Sequence, residues 1–192
     1  MDDKKISDVS ELQNIAKKVR RGIIEAVYNG KSGHPGGSLS IADIITVLYF
    51  YEMNVDVENP LWEDRDRLVL SKGHCSPALY SVLANRGFFS IDELKDFRNI
   101  NSRLQGHPDM KKVPGVDMTT GSLGQGLSAS VGMAIAGKLD NKDYRVYCIL
   151  GDGEIEEGQI WEAAMSANKY KLDNLCVIVD NNNLQIDGTI KE

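Results

Sequence analysis

The chain has 192 residues, with 22 basic and 28 acidic side chains and a formal net charge of −6. That length buries a core without disulfide or metal staples, and 42% hydrophobic with 26% charged residues is a globular composition, not a disordered one. The acidic balance argues against a nucleic-acid surface, which needs a basic footprint.

Residues 9–29 place Leu12, Ile15, Ala16, Val19, Ile23 and Val27 at helical spacing, which predicts an amphipathic helix stopped at Gly30. A glycine-rich loop follows at 32–38 (SGHPGGS), and Ser40 is placed to cap a second apolar helix, 41–53. Residues 67–70 (RLVL) read as a short buried strand, SKGHCSP breaks it, and 77–86 give another helix. Ser90 and Glu93 form a capping-box signature for a short helix over 92–99. Residues 99–121 are rich in Gly and Pro and read as irregular. The small, apolar stretch 124–137 suits a tightly packed helix. Then come a buried strand at 144–150, the turn Gly151-Asp152-Gly153, a helix at 160–170 and a second buried strand at 175–180. Apolar strands joined by a helix predict a βαβ crossover and an α/β fold, a parallel sheet with helices on both faces.

No apolar run is long enough to span a membrane, and the first residues lack the apolar core of a signal peptide, so a cytoplasmic location is expected. Three cysteines without CxxC spacing give no disulfide framework. Cys148 and Cys176 sit in apolar runs and are expected as buried thiols, while nothing places a base beside Cys75.

Ligands of open α/β sheets bind outside the carboxyl ends of the strands. GDGEIEEG (151–158) and DNNNLQIDG (180–188) are two such ends, one crossover apart. A glycine turn from strand to helix can cradle phosphate, but the carboxylates of Asp152, Glu154, Glu156 and Glu157 would repel it. A divalent cation between protein and phosphate removes that conflict, with Asp152 supplying a carboxylate and the asparagines supplying oxygens. The same residues also fit an acidic helix start with no ligand. On either reading Glu154 and Glu156 are expected to stay on the surface.

All three histidines, His34, His74 and His107, follow a glycine and none lies in an apolar periodic segment. That pattern suggests imidazoles presented to one cavity, where they could bind phosphate, hydrogen-bond sugar hydroxyls or move protons. Their spacing offers no local zinc site. TTGSLGQGLS (119–128) lacks the GK[ST] of a P-loop, so its glycines serve close approach, to a ligand or to another helix.

Asp152 in GDG and Asn182 in DNN, thirty residues apart, resemble the thiamine-diphosphate signature. SGHPGGS, LSKGH, GHPD and TTGSLGQG resemble the N-terminal pyrophosphate-binding domain of transketolases, most closely the N-terminal subunit of the split type. The resemblance runs from about residue 10 to the end of the chain. It implies Mg2+, or another divalent cation such as Ca2+ or Mn2+, held on the thiamine diphosphate by Asp152, Asn182 and the Leu184 carbonyl. It implies that Gly153 donates its N–H to the diphosphate and that Gly121 and Leu123 offer backbone groups near the aminopyrimidine. It places His74 by the reacting centre, His34 and His107 by the substrate hydroxyls, and Glu157 where sites couple across a subunit interface.

The implied activity is transfer of a two-carbon ketol unit between sugar phosphates. The glutamate that activates the aminopyrimidine belongs to a second, pyrimidine-binding chain, so this chain is not expected to be active alone. A homodimer or a dimer of heterodimers is implied. Residues 1–192 read as a single domain with a tail at 1–9. The family domain goes on past DNNNLQIDG, with another active-site histidine, so the domain is expected to continue beyond 192. Two alternatives stay open: another thiamine-dependent carboligase such as 1-deoxyxylulose-5-phosphate synthase, and a shortened, non-catalytic cofactor-binding protein.

Overall fold

The computed structural model describes residues 5–185 and 188–189. Residues 1–4 of the expected tail and 186–187 of DNNNLQIDG lie outside the described residues. Helix α1 (Val9–Gly30) starts where the Asp8 carboxylate accepts from the Ser10 backbone N–H at 2.8 Å, and it buries Ile15, Val19 and Ile23 on one face. It ends at Gly30 as predicted, but the left-handed residue is Lys31, at φ 48°.

The glycine-rich segment departs from the expected loop. Pro35–Ser40 forms a short helix, α2, with Pro35 in its first turn, where a missing N–H costs nothing. Ser40 closes α2 instead of capping the next helix, and its hydroxyl donates to Asp180 at 2.6 Å. The apolar stretch predicted as one helix divides into α3 (Ala42–Val47) and a π-turn at Leu48–Glu52. The predicted short helix at 92–99 is a 3-10 turn, Ile91–Asp96, with Ser90 as its cap.

Strands β1 (Arg67–Leu70), β2 (Val146–Gly151) and β3 (Leu175–Asp180) form one parallel sheet in the order β1-β2-β3. Arg67 pairs with Val146, and Val146 pairs with Leu175. Helix α6 (Gly158–Lys169) makes the crossover from β2 to β3, as expected. A short antiparallel pair follows, β4 (Leu184–Gln185) with β5 (Gly188–Thr189).

Both faces of β1 and β2 are covered, because their side chains alternate and are apolar on both sides. Leu68, Leu70, Tyr147 and Ile149 join a core with α1, α3 and α4 (Ser76–Arg86). Val69, Val146, Cys148 and Leu150 join a second core with α5 (Gln125–Leu139) and α6. Each fully buried Leu or Ile is worth about 1.5–3 kcal/mol. Strand β3 differs: Cys176, Val177 and Val179 are exposed. Cys148 is a buried thiol whose pKa burial pushes up to about 12. Cys176 corrects the expectation, because an apolar run on an outer strand of the described sheet is not thereby covered. Among the described residues no helix is long and apolar enough to cross a membrane.

Candidate functional site

The parallel sheet brings three strand ends to one edge, and a cavity of about 470 Å³ opens there. Its wall combines Gly33–Gly37, Lys72, His74, Leu123, Gly151–Glu154, Asn182 and Leu184. Of the predicted site residues, His34, His74, Leu123, Asp152, Gly153, Asn182 and Leu184 therefore meet in one place. A larger groove of about 650 Å³ lies between α6 and β3, but its lining is mainly apolar, with Trp161, Val177 and Val179. The smaller cavity is the chemical one, because converging polar groups mark a site better than size does.

Two buried acids fasten the strand ends. The Lys72 ammonium donates to Asp180 at 2.5 Å and to the Gly37 carbonyl at 3.1 Å. The two side chains are 2% and 7% exposed, so this is a buried ion pair. Asp180 also accepts from Ser40 and from the Asn182 amide. Next to Lys72, the Ser71 hydroxyl donates to Glu154, which also accepts from the backbone N–H groups of Gly124 at 2.9 Å and Gly151 at 3.0 Å. Glu154 is only 3% exposed, which corrects the expectation of a surface charge. Its burial is tolerated because three donors satisfy it. Glu156 is exposed, as expected.

The histidine loops converge. The His34 and His74 rings sit 5.1 Å apart, edge to face. Burial first, then the neighbouring His34, Lys72 and His107, push the His74 pKa down to about 4. His107 is also lowered, by burial and then by Arg98 and His34. It lies outside the cavity wall, against the backbone of Gly121, whose φ is +155°. A Cβ there would meet the His107 ring at 2.9 Å, so the approach needs glycine. Gly73 is as close to Thr120, where a Cβ would meet backbone at 2.7 Å. Glu157 is exposed, outside the cavity wall, and packs over Gly124 at the start of α6.

The acidic turn carries oxygen donors fit for a hard cation. Asp152 is buried, and its carboxylate is fixed by the backbone N–H groups of Gly153 at 3.0 Å and Asn183 at 2.6 Å. Each carboxylate oxygen has a second acceptor direction, so both can still coordinate. The Asn182 side-chain oxygen accepts from Leu184 N–H at 2.9 Å, which turns the chain back toward Asp152. Among the described residues no group of three or more His, Cys, Asp or Glu is placed to hold a metal. The available set is one carboxylate plus neutral amide and carbonyl oxygens. That chemistry fits Mg2+, which is commonly bound through one or two carboxylates plus phosphate oxygens and water. Room for such a ligand is present in the cavity of about 470 Å³ that Asp152, Gly153, Asn182 and Leu184 line.

Sequence reasoning missed Lys72, Asp180, Ser40 and Glu154 as organisers of this edge. Lys72 stood inside LSKGH and Asp180 at the end of an apolar strand. A charge next to a buried strand was the only signal available. Their partners are 108 and 140 residues away along the chain.

Against known proteins, residues 11–192 match the family described as transketolase, thiamine diphosphate binding domain. The chain is 50% identical over 182 residues to the 6-deoxy-6-sulfo-D-fructose transketolase subunit of Clostridium sp. (strain MSTE9), covering 95% of this chain and 66% of that protein. It is 48% identical over 184 residues to an apulose-4-phosphate transketolase subunit of Phocaeicola vulgatus, covering 96% and 65%. The crystal structure of transketolase from Campylobacter jejuni superposes with a TM-score of 0.90 at 38% identity, covering 96% of this chain and 30% of that one. The chain thus spans about two thirds of the length of these subunits and less than a third of that full-length enzyme.

Proposed function

The chain belongs to the transketolase thiamine-diphosphate-binding family, and on that premise we propose that it is the N-terminal subunit of a split transketolase. It binds thiamine diphosphate through a divalent cation and, with a pyrimidine-binding partner chain, moves a two-carbon ketol unit from a ketose phosphate to an aldose phosphate. The observation that carries this reading is the convergence of His34, His74, Asp152, Gly153 and Asn182 on one cavity.

Asp152, the Asn182 side-chain oxygen and the Leu184 carbonyl are the residues that would hold Mg2+, with Ca2+ or Mn2+ as substitutes. The Gly153 N–H would donate to the diphosphate in place of its bond to Asp152, and Gly121 and Leu123 would offer backbone groups to the aminopyrimidine. When bound, thiamine diphosphate supplies the nucleophilic carbon and the electron sink for carbon–carbon cleavage. His74 stays neutral at ordinary pH, since its pKa lies near 4. It therefore both donates and accepts a hydrogen bond beside the reacting centre without adding charge. His34 and His107 orient the sugar hydroxyls. Glu157, exposed at the start of α6, would couple cofactor sites across a subunit interface. The assembly is a homodimer of this chain or a dimer of heterodimers, and the partner supplies the activating glutamate.

Two measurements test this reading. The chain is mixed with its candidate partner and offered xylulose 5-phosphate, 6-deoxy-6-sulfofructose, apulose 4-phosphate or pyruvate as donor. Turnover of a ketose supports the proposal, and turnover of pyruvate alone assigns a different carboligase. Separately, Asp152→Ala abolishes Mg2+-dependent thiamine diphosphate binding by calorimetry, whereas His34→Ala spares it and lowers sugar turnover. Unchanged cofactor affinity in Asp152→Ala refutes the cation site. Binding that persists with no turnover in any complex favours a non-catalytic binding protein.

A further inference from the structure

We infer that Glu154 is the positioning residue that sets the three loops of the cofactor cavity against one another. Its carboxylate accepts from Ser71 after β1, from Gly151 at the end of β2, and from Gly124 in the loop before α5. Those partners come from three separate segments of the chain, and each lies next to a site element. Ser71 precedes Lys72 and His74, Gly151 precedes Asp152 and Gly153, and Gly124 follows Gly121 and Leu123.

All three partners donate, so the position suits a group that only accepts. Glu154 is also among the residues that line the cavity. A side chain that satisfied only its own turn would bond Gly151 alone. The bonds to Gly124 and Ser71 span 30 and 83 residues.

The consequence is specific. Glu154→Gln keeps size and shape but replaces one oxygen by an NH2 group. If that NH2 takes the place that faces Gly151, donor meets donor. If it takes the other place, it faces the Gly124 N–H. At least one backbone N–H then loses its partner. Glu154→Ala loses all three bonds.

The test is amide hydrogen exchange on the full chain, read beside thermal melting. Exchange should rise at 119–126 and 71–75 as well as in the 151–157 turn, in the order wild type, Gln, Ala. A loss of packing alone would raise exchange across the whole core together. The proposal is overturned if either variant speeds exchange only within 151–157, or uniformly. Glu154→Gln decides the matter if Glu154→Ala does not fold.

A second arm rests on the cofactor reading. Affinity for thiamine diphosphate with Mg2+ should fall about tenfold or more in Glu154→Gln, as for lost outer contacts of a metal site. Wild-type affinity in a folded Glu154→Gln overturns the positioning role. A wild-type chain that binds no thiamine diphosphate would defeat the cofactor reading, and the exchange arm would still decide Glu154.

Discussion

Lys72→Met removes a charge from inside the protein while keeping most of the side-chain volume. The Lys72 side chain is 2% exposed, and its ammonium lies 2.5 Å from the carboxylate of Asp180, whose side chain is 7% exposed. Without it, Asp180 keeps, among the described residues, the Ser40 hydroxyl and the Asn182 amide as side-chain donors. An uncompensated buried charge of this kind costs about 3–5 kcal/mol. In a chain of this size each kcal/mol moves the melting temperature by about 2–4 °C, so a fall of about 6–20 °C is expected. Urea unfolding at neutral pH gives the free energy directly. The double variant Lys72→Met/Asp180→Asn supplies the decisive comparison. It removes both charges, so its cost should be well below the sum of the two single variants. A Lys72→Met chain within about 1 kcal/mol of wild type, or strictly additive losses, would refute a buried, coupled pair.

Acid should weaken the fold through His74, whose folded pKa of about 4 lies below the ordinary 6.5. The unfolded chain then binds more protons, so stability is full above pH 6.5 and is lost as pH falls from there toward 4. His107, also lowered, acts in the same direction. Urea midpoints between pH 7.5 and 4.5 check this, and His74→Gln should flatten the slope. Two glycines of α5 should respond oppositely to alanine. A Cβ on Gly126 would meet the Ser71 backbone at 2.7 Å, so Gly126→Ala should cost about 1–3 kcal/mol. A Cβ on Gly132 would meet nothing within 4 Å, so Gly132→Ala should gain about 0.5–1 kcal/mol. Chemical unfolding of the two variants side by side decides both.

What the sequence made legible was periodic or local. The period of α1 and the unbroken apolar runs of β1, β2 and β3 announced the helix and the parallel sheet. The glycine flanks of His34, His74 and His107 announced loops, and the strand-end rule put GDG and DNN at one edge. What stayed hidden depends on distant partners. Glu154 looks like one acid among four until Ser71 and Gly124 arrive to satisfy it. Ser40 looks like a cap because a cap is local, yet its partner is Asp180, 140 residues on. Cys176 looks buried because its run is apolar, and only the strand order exposes it. Pro35-Gly36-Gly37 reads as a loop by propensity, but Ser38 bonds back to the His34 carbonyl at 2.7 Å and Lys72 holds Gly37.

The two fastenings at the strand ends also set an order of events during folding. The Ser71–Glu154 and Lys72–Asp180 contacts close over 83 and 108 residues, and among the described residues β1 has no strand partner until β2 is made, with Arg67 pairing Val146, 79 residues further on in the chain. Contacts of such span carry a large loop-closure cost and tend to form late. During synthesis the helical layer of α1, α3 and α4 can collapse first, with Lys72 still hydrated. A ligand of the finished cavity then meets nothing to grip in the folding transition state. It should leave the refolding rate untouched and act as a brake on unfolding alone.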